Sequence, residues 1–342
     1  MTKHLLFGNP SAQSGRAKDA IARARALLAA RGIDVVTIAT EPHGRTPALV
    51  TRAVLEHAPD AVLALGGDGT FNEVARGILA SGRDVTMGMI PMGTANDQGR
   101  SFGLSPGVDH VHEHVEVITR GHVTELDVGH VSRLDAGDTA TDTAMFFDSA
   151  SFGLAPDILA VRNRDREDVK NVPLLSLVYR DQAVYVGAAI DRLLASFVEP
   201  TRFDAVIETD RGERTFRGLT DLVVKATPIF AGAWVLDRTA EPDDGLFELV
   251  TVKSRGEWIT RVVRDLAHNP LHPDAIFGVP VDDRLSASRF ELRFFRPGNE
   301  LVASQIDGEE WKRGDRFRIE VEARRLPLYT PAGFAPPWKS AV

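Results

Sequence analysis

The feature that most constrains the fold is a regular alternation of apolar, strand-like runs with helix-like segments over roughly the first 120 residues. Such alternation is typical of a parallel sheet covered by helices on both faces. We therefore predict a doubly wound parallel α/β domain over residues 1–122, which binds its ligand beyond the carboxyl ends of the strands. The predicted strands are Leu5–Gly8, Ile33–Ala39, Ala61–Leu65 and Val85–Ile90, and the predicted helices are Ser14–Arg31, Thr46–His57, Phe71–Ala80 and Val108–Thr119.

After residue 122 the pattern changes to short strand-like segments separated by turn residues, with alternation visible in Phe290, Leu292 and Phe294. This pattern predicts a mainly antiparallel β-sandwich domain over residues 123–325, with the active site in the cleft between the domains. The proline-containing tail 326–342 is expected to be irregular and free to pack back on the first domain. The predicted strands are Glu125–Val131, Met145–Ser149, Arg202–Glu208, Arg214–Leu219, Asp221–Ala226, Phe247–Val252, Arg289–Phe295 and Phe317–Val321, and the predicted helices are Leu174–Leu194 and Glu257–Ala267.

Composition excludes several classes of function. The net charge of −8 provides no general attraction for nucleic acid. The absence of cysteine excludes disulfides, thiolate nucleophiles and cysteine-bound zinc. No apolar run is long enough to span a bilayer, and the N-terminus does not resemble a signal peptide. We therefore expect a cytoplasmic protein.

The loop Gly66-Gly67-Asp68-Gly69-Thr70 follows the third predicted strand, where the chain turns into a helix. Glycine permits positive φ angles and close approach of backbone N–H groups to a ligand, and a helix N-terminus attracts anions. A bare carboxylate would repel phosphate, so Asp68 indicates a phosphate site in which Mg²⁺ stands between the two. The alternative is a plain turn in which Thr70 and Glu73 form a capping box.

Two further loops leave neighbouring strands. The segment Pro91–Asp97 repeats the order of strand, glycine, threonine and carboxylate, and Asn9–Arg16 is a polar, glycine-containing turn into a helix. Alone, each is weak, because Thr94 or Ser14 could merely cap a helix. Together they are expected to converge with the first loop on one crevice.

Two Asp-Gly pairs occur late in the chain. Asp307-Gly308-Glu309 is most simply a hairpin turn, but its carboxylates could also act as a general base and its electrostatic partner. Asp244-Gly245 is either a turn or a hard-cation site made by one carboxylate and backbone carbonyls.

In combination these segments resemble the diacylglycerol kinase catalytic-domain family, in particular its soluble bacterial lipid kinases, and they are similar to sphingoid-base kinases. They occur in the family's order across nearly the whole chain, and the combination is far more specific than any single segment. The matching segments are Asn9-Pro10, Ser14-Gly15-Arg16, Ala39-Thr40-Glu41, Gly66–Val74, Ile90–Asp97, Asp243–Phe247 and Ile306–Glu309.

The resemblance implies an ATP-dependent lipid kinase that phosphorylates a lipid hydroxyl, with diacylglycerol as the expected acceptor and phosphatidic acid as the product. It implies that Asp68 and Asp97 organise a catalytic Mg²⁺, that Glu309 is the general base, and that Asp307 supports Glu309. A second, structural Mg²⁺ is implied at the Asp-Gly turn, and its implied ligands are Glu241, Asp244 and Leu246. The residues implied to bind ATP are Asn9, Pro10, Ser14, Gly15, Arg16, Thr40, Gly66, Gly67, Asp68, Gly69, Thr70, Asn72, Glu73, Gly93 and Thr94.

The implied partner is a lipid at the membrane surface, met transiently at the inner face of the membrane without a membrane span. A homodimer is possible. Three alternatives stay open: a kinase of a sphingoid or other lipid alcohol, an NAD kinase, which shares the Gly-Gly-Asp-Gly-Thr loop, and a nucleotide-binding regulator without catalysis. The chain departs from the family pattern at Gln13, Gln98 and Asp148.

Overall fold

The protein is described by a computed structural model that covers residues 2–157, 159, 202–232, 234–254, 256–257 and 285–336. The predicted helix Leu174–Leu194 lies outside the described residues, and so does the predicted helix Glu257–Ala267 apart from its first residue.

The N-terminal part is built on four parallel strands in the spatial order β2-β1-β3-β4. The strands are β1 (Thr2–Gly8), β2 (Ile33–Ala39), β3 (Ala61–Gly66) and β4 (Thr86–Pro91). In register, Gly8 lies opposite both Ala39 and Leu65, and Leu65 lies opposite Ile90. The four strands therefore end at one edge of the sheet. The order changes direction between β1 and β3, which is where doubly wound sheets bind ligands.

Helices cover both faces of this sheet. The helices are α1 (Arg16–Ala29), α2 (Thr46–His57), α3 (Asp68–Ala80), α4 (Asp97–Ser101) and α5 (Val111–Arg120). The apolar faces of α1 and α5 share one buried cluster, which includes Ile21 and Val115. The faces of α2 and α3 share another, which includes Val50 and Phe71. The predicted doubly wound architecture is confirmed.

The C-terminal part adds antiparallel strands to the same sheet and forms a second sheet below it. The added strands are β5 (Val123–Leu134), β6 (Ala140–Phe146), β8 (Phe203–Thr209), β9 (Gly212–Leu219), β15 (Arg289–Phe295) and β18 (Arg316–Tyr329). The second sheet has the order β14-β13-β10-β7-β16-β17. Its strands are β7 (Ser149–Gly153), β10 (Asp221–Lys225), β13 (Phe247–Val252), β14 (Leu285–Ala287), β16 (Ser304–Ile306) and β17 (Glu309–Glu310), and β11 (Ile229–Phe230) and β12 (Trp234–Val235) form a separate hairpin.

An aromatic core fills the space between these sheets. Alternate residues of β15 point into it, and Phe290, Leu292 and Phe294 are buried as their spacing predicts. Phe152 of the second sheet contacts Phe294 and Phe317 of the first, with ring centroids 5.2 and 4.8 Å apart. The predicted antiparallel sandwich is therefore confirmed.

Some details differ from the sequence predictions. The segment Met145–Ser149 is not one strand, because β6 ends at Phe146 and β7 begins at Ser149. The tail is not irregular at its start, because residues up to Tyr329 continue β18. Leu328 pairs with Met87 of β4, so one sheet runs through both parts of the chain. The division at residue 122 stays a prediction.

Candidate active site

The loops that follow β3 and β4 pack backbone against backbone. Met92 donates a hydrogen bond from its N–H to the carbonyl of Gly66 at 2.7 Å. A Cβ atom placed on Gly93 would lie 2.5 Å from the Cα of Gly67, a distance that real Cβ atoms essentially never show. Glycine is therefore required at position 93 for close approach. The predicted convergence of these two loops is present.

The glycines of the first loop do not adopt the positive φ angles that glycine permits. Gly66, Gly67 and Gly69 do not have positive φ angles. The residue with a left-handed backbone is Asn96, with φ 53°, in the second loop. Its side-chain oxygen accepts a hydrogen bond from the N–H of Gly93 at 3.0 Å and closes that loop. The first loop therefore does not use the positive φ that glycine permits, and its glycines provide space for close approach.

The capping-box alternative for this loop is also wrong. Helix α3 begins at Asp68 rather than Phe71, its N-cap is Gly67, and no side chain caps it. The Glu73 side chain instead engages Thr46, and burial is the main cause that raises the pKa of Glu73. The first N–H groups of α3 therefore keep no side-chain cap, which suits an anion-binding helix terminus.

Asp68 connects the two loops. Its carboxylate accepts hydrogen bonds from the N–H of Asn96 at 2.8 Å and the N–H of Gln98 at 3.4 Å. Burial raises the pKa of Asp68, and the nearby carboxylate of Asp148 raises it further. The carboxylate is thus fixed at the start of α3 in a surplus of negative charge.

Asp97 lies close to Asp68 but bonds to the other part of the chain. Its carboxylate accepts hydrogen bonds from the N–H of Ala231, at 2.8 Å, and of Gly232 in the turn between β11 and β12. Burial raises the pKa of Asp97 well above its usual value, and Asp148 and Asp68 add to this effect. Asp97 therefore joins the second loop to the hairpin and places a second carboxyl group near Asp68.

Glu309 faces the first loop from the C-terminal part of the chain. It lies at the start of β17 with an exposed side chain. A Cβ atom placed on Gly69 would lie 3.6 Å from Glu309 Oε1, an ordinary contact distance. Its negative charge also helps to raise the pKa of Glu73, after the larger effect of burial. The structure therefore brings Glu309 to the N-terminus of α3, where Asp68 begins the helix.

Asp307 does not point into this space. Its carboxylate accepts hydrogen bonds from three consecutive backbone N–H groups, those of Phe147, Asp148 and Ser149, at 2.8 to 3.3 Å. Burial raises the pKa of Asp307 to about 7, with a further contribution from Asp148. These bonds fasten the turn that carries Glu309 to the break between β6 and β7. Both oxygens of Asp307 are therefore engaged by the backbone, and its part in any reaction stays a prediction.

Sequence analysis missed the buried pair of Asp148 and Lys225. The ammonium group of Lys225 lies 2.6 Å from Asp148 Oδ1, and both residues are buried. Thr227 and Ser149 donate hydroxyl hydrogen bonds to the same carboxylate. Asp148 is a departure from the family pattern, and no local spacing connects it with Lys225, which lies 77 residues further along the chain.

The loops after β1 and β2 end at the same sheet edge. Asn9 is exposed, and its side-chain oxygen accepts hydrogen bonds from the N–H and hydroxyl of Ser11 at 3.0 and 2.7 Å. Gly15 has φ 96° and is the N-cap of α1, which begins at Arg16. The N–H of Thr40 bonds to the carbonyl of Gly8 at 3.2 Å. These residues can therefore line the same crevice as Gly67 and Gly93.

Buried amide side chains around the loops have atoms without a partner among the described residues. They are Asn72 Oδ1, Asn96 Nδ2 and both amide atoms of Gln98. Leaving a buried polar atom unsatisfied costs about 1–3 kcal/mol, so a polar ligand or ordered water is expected to complete them. Together with Asp68 and Asp97, these residues fit a nucleotide phosphate and a hydrated Mg²⁺.

The protein does not provide a complete metal cage on its own. In the part of the chain that the structure describes, no three His, Cys, Asp or Glu side chains form a group that could hold a metal ion. Mg²⁺ usually binds through one or two carboxylates and keeps water and substrate phosphates as its other ligands. The two carboxylates of Asp68 and Asp97, at the loops after β3 and β4, agree with that mode.

The implied structural metal site is a turn anchored by Asp127, which sequence analysis did not identify. Asp127 is buried and accepts hydrogen bonds from the N–H of Gly245 at 2.6 Å and of Arg324 at 2.7 Å. Asp244 accepts one from the N–H of Leu246 at 2.9 Å. Burial raises the pKa of Asp244, with contributions from nearby carboxylates such as Glu241. The geometry brings the three implied ligands into one turn, and the metal itself stays a prediction.

Comparisons with known proteins agree with this geometry. Residues 3–131 match the family model of the diacylglycerol kinase catalytic domain. A diacylglycerol kinase from Staphylococcus saprophyticus is 39% identical over 93 residues, which are 27% of this chain and 29% of that protein. A diacylglycerol kinase from Staphylococcus epidermidis is 36% identical over 117 residues, which are 34% of this chain and 36% of that protein. The chain thus matches about a third of the length of these curated relatives.

The fold agreement extends over nearly the whole chain. The crystal structure of a diacylglycerol kinase from Bacillus anthracis str. Sterne superposes with a TM-score of 0.69 and 20% identity, and the match covers 96% of this chain and 97% of the other. None of the helices in the described ranges is both long and apolar enough to cross a membrane. Residues 3–131 of this chain are thus similar to the diacylglycerol kinase catalytic domain.

Proposed function

We propose that the protein is a lipid kinase that transfers the γ-phosphoryl group of ATP to the hydroxyl of diacylglycerol and forms phosphatidic acid. The observation that carries this proposal is the position of Glu309 opposite Gly69, at the N-terminus of α3. Phosphoryl transfer to an alcohol needs an anion-binding site on one side and a proton acceptor near the alcohol on the other. The match of residues 3–131 supports the same reaction.

On the nucleotide side, the free N–H groups at the start of α3 and the loop at Gly93 and Thr94 are proposed to hold the phosphates. Mg²⁺, held by Asp68 and Asp97 directly or through water, would neutralise charge on the transferred group. The remainder of ATP is proposed to lie along the neighbouring loops. The other proposed nucleotide-binding residues are Asn9, Pro10, Ser14, Gly15, Arg16, Thr40, Gly66, Gly67, Gly69, Thr70, Asn72 and Glu73.

On the acceptor side, Glu309 is proposed to accept the proton of the lipid hydroxyl. General-base catalysis of this kind contributes about 10²–10⁴-fold to the rate. Asp307 contributes by holding the turn through three backbone N–H groups. The lipid acceptor requires contact with a membrane surface, which we propose to be transient and at the inner face of the membrane. The homodimer and the Mg²⁺ at Glu241, Asp244 and Leu246 stay predictions.

Transfer of labelled phosphate distinguishes this function from its alternatives. The purified protein is incubated with γ-labelled ATP, Mg²⁺ and mixed micelles that contain diacylglycerol, a monoacylglycerol, a sphingoid base or no acceptor. Label in a chloroform-soluble product with the diacylglycerol micelles is the expected result. If only the sphingoid base were labelled, the substrate would be a sphingoid base and not diacylglycerol. Label on added NAD⁺ would indicate an NAD kinase. Binding of ATP without transfer would indicate a nucleotide-binding regulator.

Replacing the proposed base gives a sharper test. The Glu309→Gln variant is expected to lose about 10²–10⁴-fold in kcat while its affinity for ATP is unchanged, because the amide cannot accept the proton. The matched control is Glu310→Gln, which removes the neighbouring exposed carboxylate of β17. Equal activity of the two variants would remove Glu309 as the base.

A further inference from the structure

Lys225 is a buried cation next to the acidic part of the candidate site. Its side chain is fully buried at the end of β10. The ammonium group donates hydrogen bonds to Asp148 Oδ1 and to the carbonyl of Ile229, both at 2.6 Å, and lies 5.5 Å from the ring centroid of Phe230. Burial of a lysine is rare unless its charge is paired, and here the pairing is complete.

Four carboxylates, those of Asp68, Asp97, Asp148 and Asp307, lie near one another, and Lys225 is paired with Asp148 and also acts on Asp97 through its charge. The charge of Asp148 acts on the other three carboxylates and raises the pKa of each of them. Asp68, Asp97 and Asp307 are bonded to neutral backbone N–H groups. Among the described residues, these four carboxylates make a single salt bridge, the one between Asp148 and Lys225.

Lys225 also reaches Asp97 through the hairpin of β11 and β12. It holds the carbonyl of Ile229 at the start of the hairpin, and the N–H groups of Ala231 and Gly232 at its turn bond to the Asp97 carboxylate. The hairpin turn lies directly on the second loop, since a Cβ atom on Gly232 would lie 2.8 Å from the Cα of Ala95. Lys225 thus holds the carboxylate of Asp148 and also the hairpin whose N–H groups bond to the carboxylate of Asp97.

We propose that Lys225 is a positioning residue that acts as a built-in cation of this site. It keeps Asp148 paired and the hairpin in place, so that a divalent cation is attracted to Asp68 and Asp97 and not to Asp148. The inference rests on the proposed function for the role of that cation. A purely packing role is the weaker account, because a buried ion pair is often replaceable by apolar residues at no cost to stability.

The test is Mn²⁺ binding by the nucleotide-free protein, followed by the electron paramagnetic resonance signal of free Mn²⁺. Lys225→Met removes a positive charge, so the negative charge near Asp68 and Asp97 is offset less and attracts a divalent ion more strongly. The dissociation constant for Mn²⁺ is expected to fall about tenfold, because one more unpaired charge at short range acts on the ion. The double variant Lys225→Met with Asp148→Asn is expected to return to the wild-type value.

The matched control is Lys312→Met, which breaks an ion pair of 3.2 Å with Asp142 at the protein surface. It is expected to bind Mn²⁺ as the wild type does. An unchanged dissociation constant in Lys225→Met, or a double variant that binds as tightly as Lys225→Met, would overturn the proposal.

Thermal unfolding covers the case in which Lys225→Met folds poorly. Its melting temperature is then expected to rise more with added MnCl₂ than that of the wild type, and the double variant is expected to fold without the metal. Failure of both variants to fold with or without Mn²⁺ would contradict the charge role. The readout is separate from catalysis: absence of lipid phosphorylation by the wild type would defeat the proposed function and leave the Mn²⁺ result standing.

Discussion

Asp68 in the N-terminal half of the site and Asp307 in the C-terminal half both precede a glycine at the end of a strand, and their surroundings differ. Asp68 begins a helix, and its carboxylate accepts two N–H groups from the neighbouring loop. Asp307 lies in a hairpin turn, and three consecutive N–H groups surround its carboxylate. The same Asp-Gly dipeptide therefore supplies a proposed Mg²⁺ ligand, Asp68, in one half. In the other half it supplies Asp307, which holds a turn in place through hydrogen bonds to the backbone.

The comparison teaches that the two halves of the site are built in different ways. In the N-terminal half, the functional groups are brought together by the edge of a parallel sheet, where every strand end contributes a loop. In the C-terminal half, Glu309 is presented by a hairpin turn that the hydrogen bonds of Asp307 hold in place. A substitution in the first half is therefore expected to act on activity, and one in the second half also on stability.

The largest expected effect is that of Asp68→Asn on activity. Removing this charge from the phosphate loop is expected to lower kcat by about 10²–10³-fold, the range seen when a preorganised electrostatic group is lost. The amide oxygen can still accept the N–H of Asn96, so the melting temperature is expected to change little. A large loss of stability with an unchanged kcat would show that Asp68, like Asp307, holds the structure in place and is not needed for the reaction.

The next effect is the pH dependence of stability due to His114, a buried group that bonds to backbone as Asp307 does. Its Nε2 donates to the carbonyl of Ser105 at 2.9 Å, and burial lowers the pKa of His114 from 6.5 to about 4. As the pH falls from 6.5 to about 4, His114 therefore takes up a proton in the unfolded chain while it stays neutral in the folded protein. Stability from this group is lost over that range, by about 3 kcal/mol.

Chemical denaturation of His114→Asn across that pH range checks this expectation. The variant is expected to show a shallower fall in the free energy of unfolding than the wild type. His110→Asn, a change at a more exposed histidine of the same region, is the control and is expected to keep the wild-type slope. Identical slopes in all three proteins would show that His114 does not remain neutral.

Asp307→Asn tests the fastening itself. The amide oxygen can keep the N–H groups of Asp148 and Ser149, but the N–H₂ donor then faces the N–H of Phe147, so a loss of about 1–3 kcal/mol in the free energy of unfolding is expected. The control is Asp34→Asn on the exposed side of β2. Unchanged stability with a loss of activity as large as that of Glu309→Gln would make Asp307 part of the chemistry.

The smallest expected effect concerns the contact between the two N-terminal loops. Gly93→Ala places a Cβ atom 2.5 Å from the Cα of Gly67 and must push the loops apart. The KM for ATP is expected to rise about tenfold, because the phosphate-binding groups lose their alignment. Gly137→Ala, in the turn between β5 and β6, is the control and is expected to leave the KM unchanged. An unchanged KM in Gly93→Ala would show that ATP does not depend on this contact.

The parts of the fold that local sequence determines were predictable. Thr46–His57, Ile33–Ala39 and Arg289–Phe295 have the predicted bounds, because periodicity and turn residues mark both ends. The continuation of β18 to Tyr329 was not predictable, because a charged bulge after Glu322 and then Pro327 interrupt the strand pattern. The strand there is determined by its pairing with β5.

The same distinction applies to the site. Asp68, Asp97 and Glu309 could be selected because each stands in a short motif with a recognisable chemistry. Lys225 and Asp127 could not, because their partners are distant in sequence and no local spacing connects them. The backbone contacts of Asp307 were hidden for the same reason. Local motifs selected the groups proposed to face the reactants, whereas the groups that hold them in place were found only in the structure.

The most direct test of the central claim is a crystal structure with Mg²⁺ and a non-hydrolysable ATP analogue. The account predicts the terminal phosphate at the N–H groups that begin α3, with Mg²⁺ reached by Asp68 directly or through one water and Glu309 on the far side of that phosphate. Phosphates bound at another edge of the sheet, or a Glu309 carboxylate turned away from them into solvent, would contradict it.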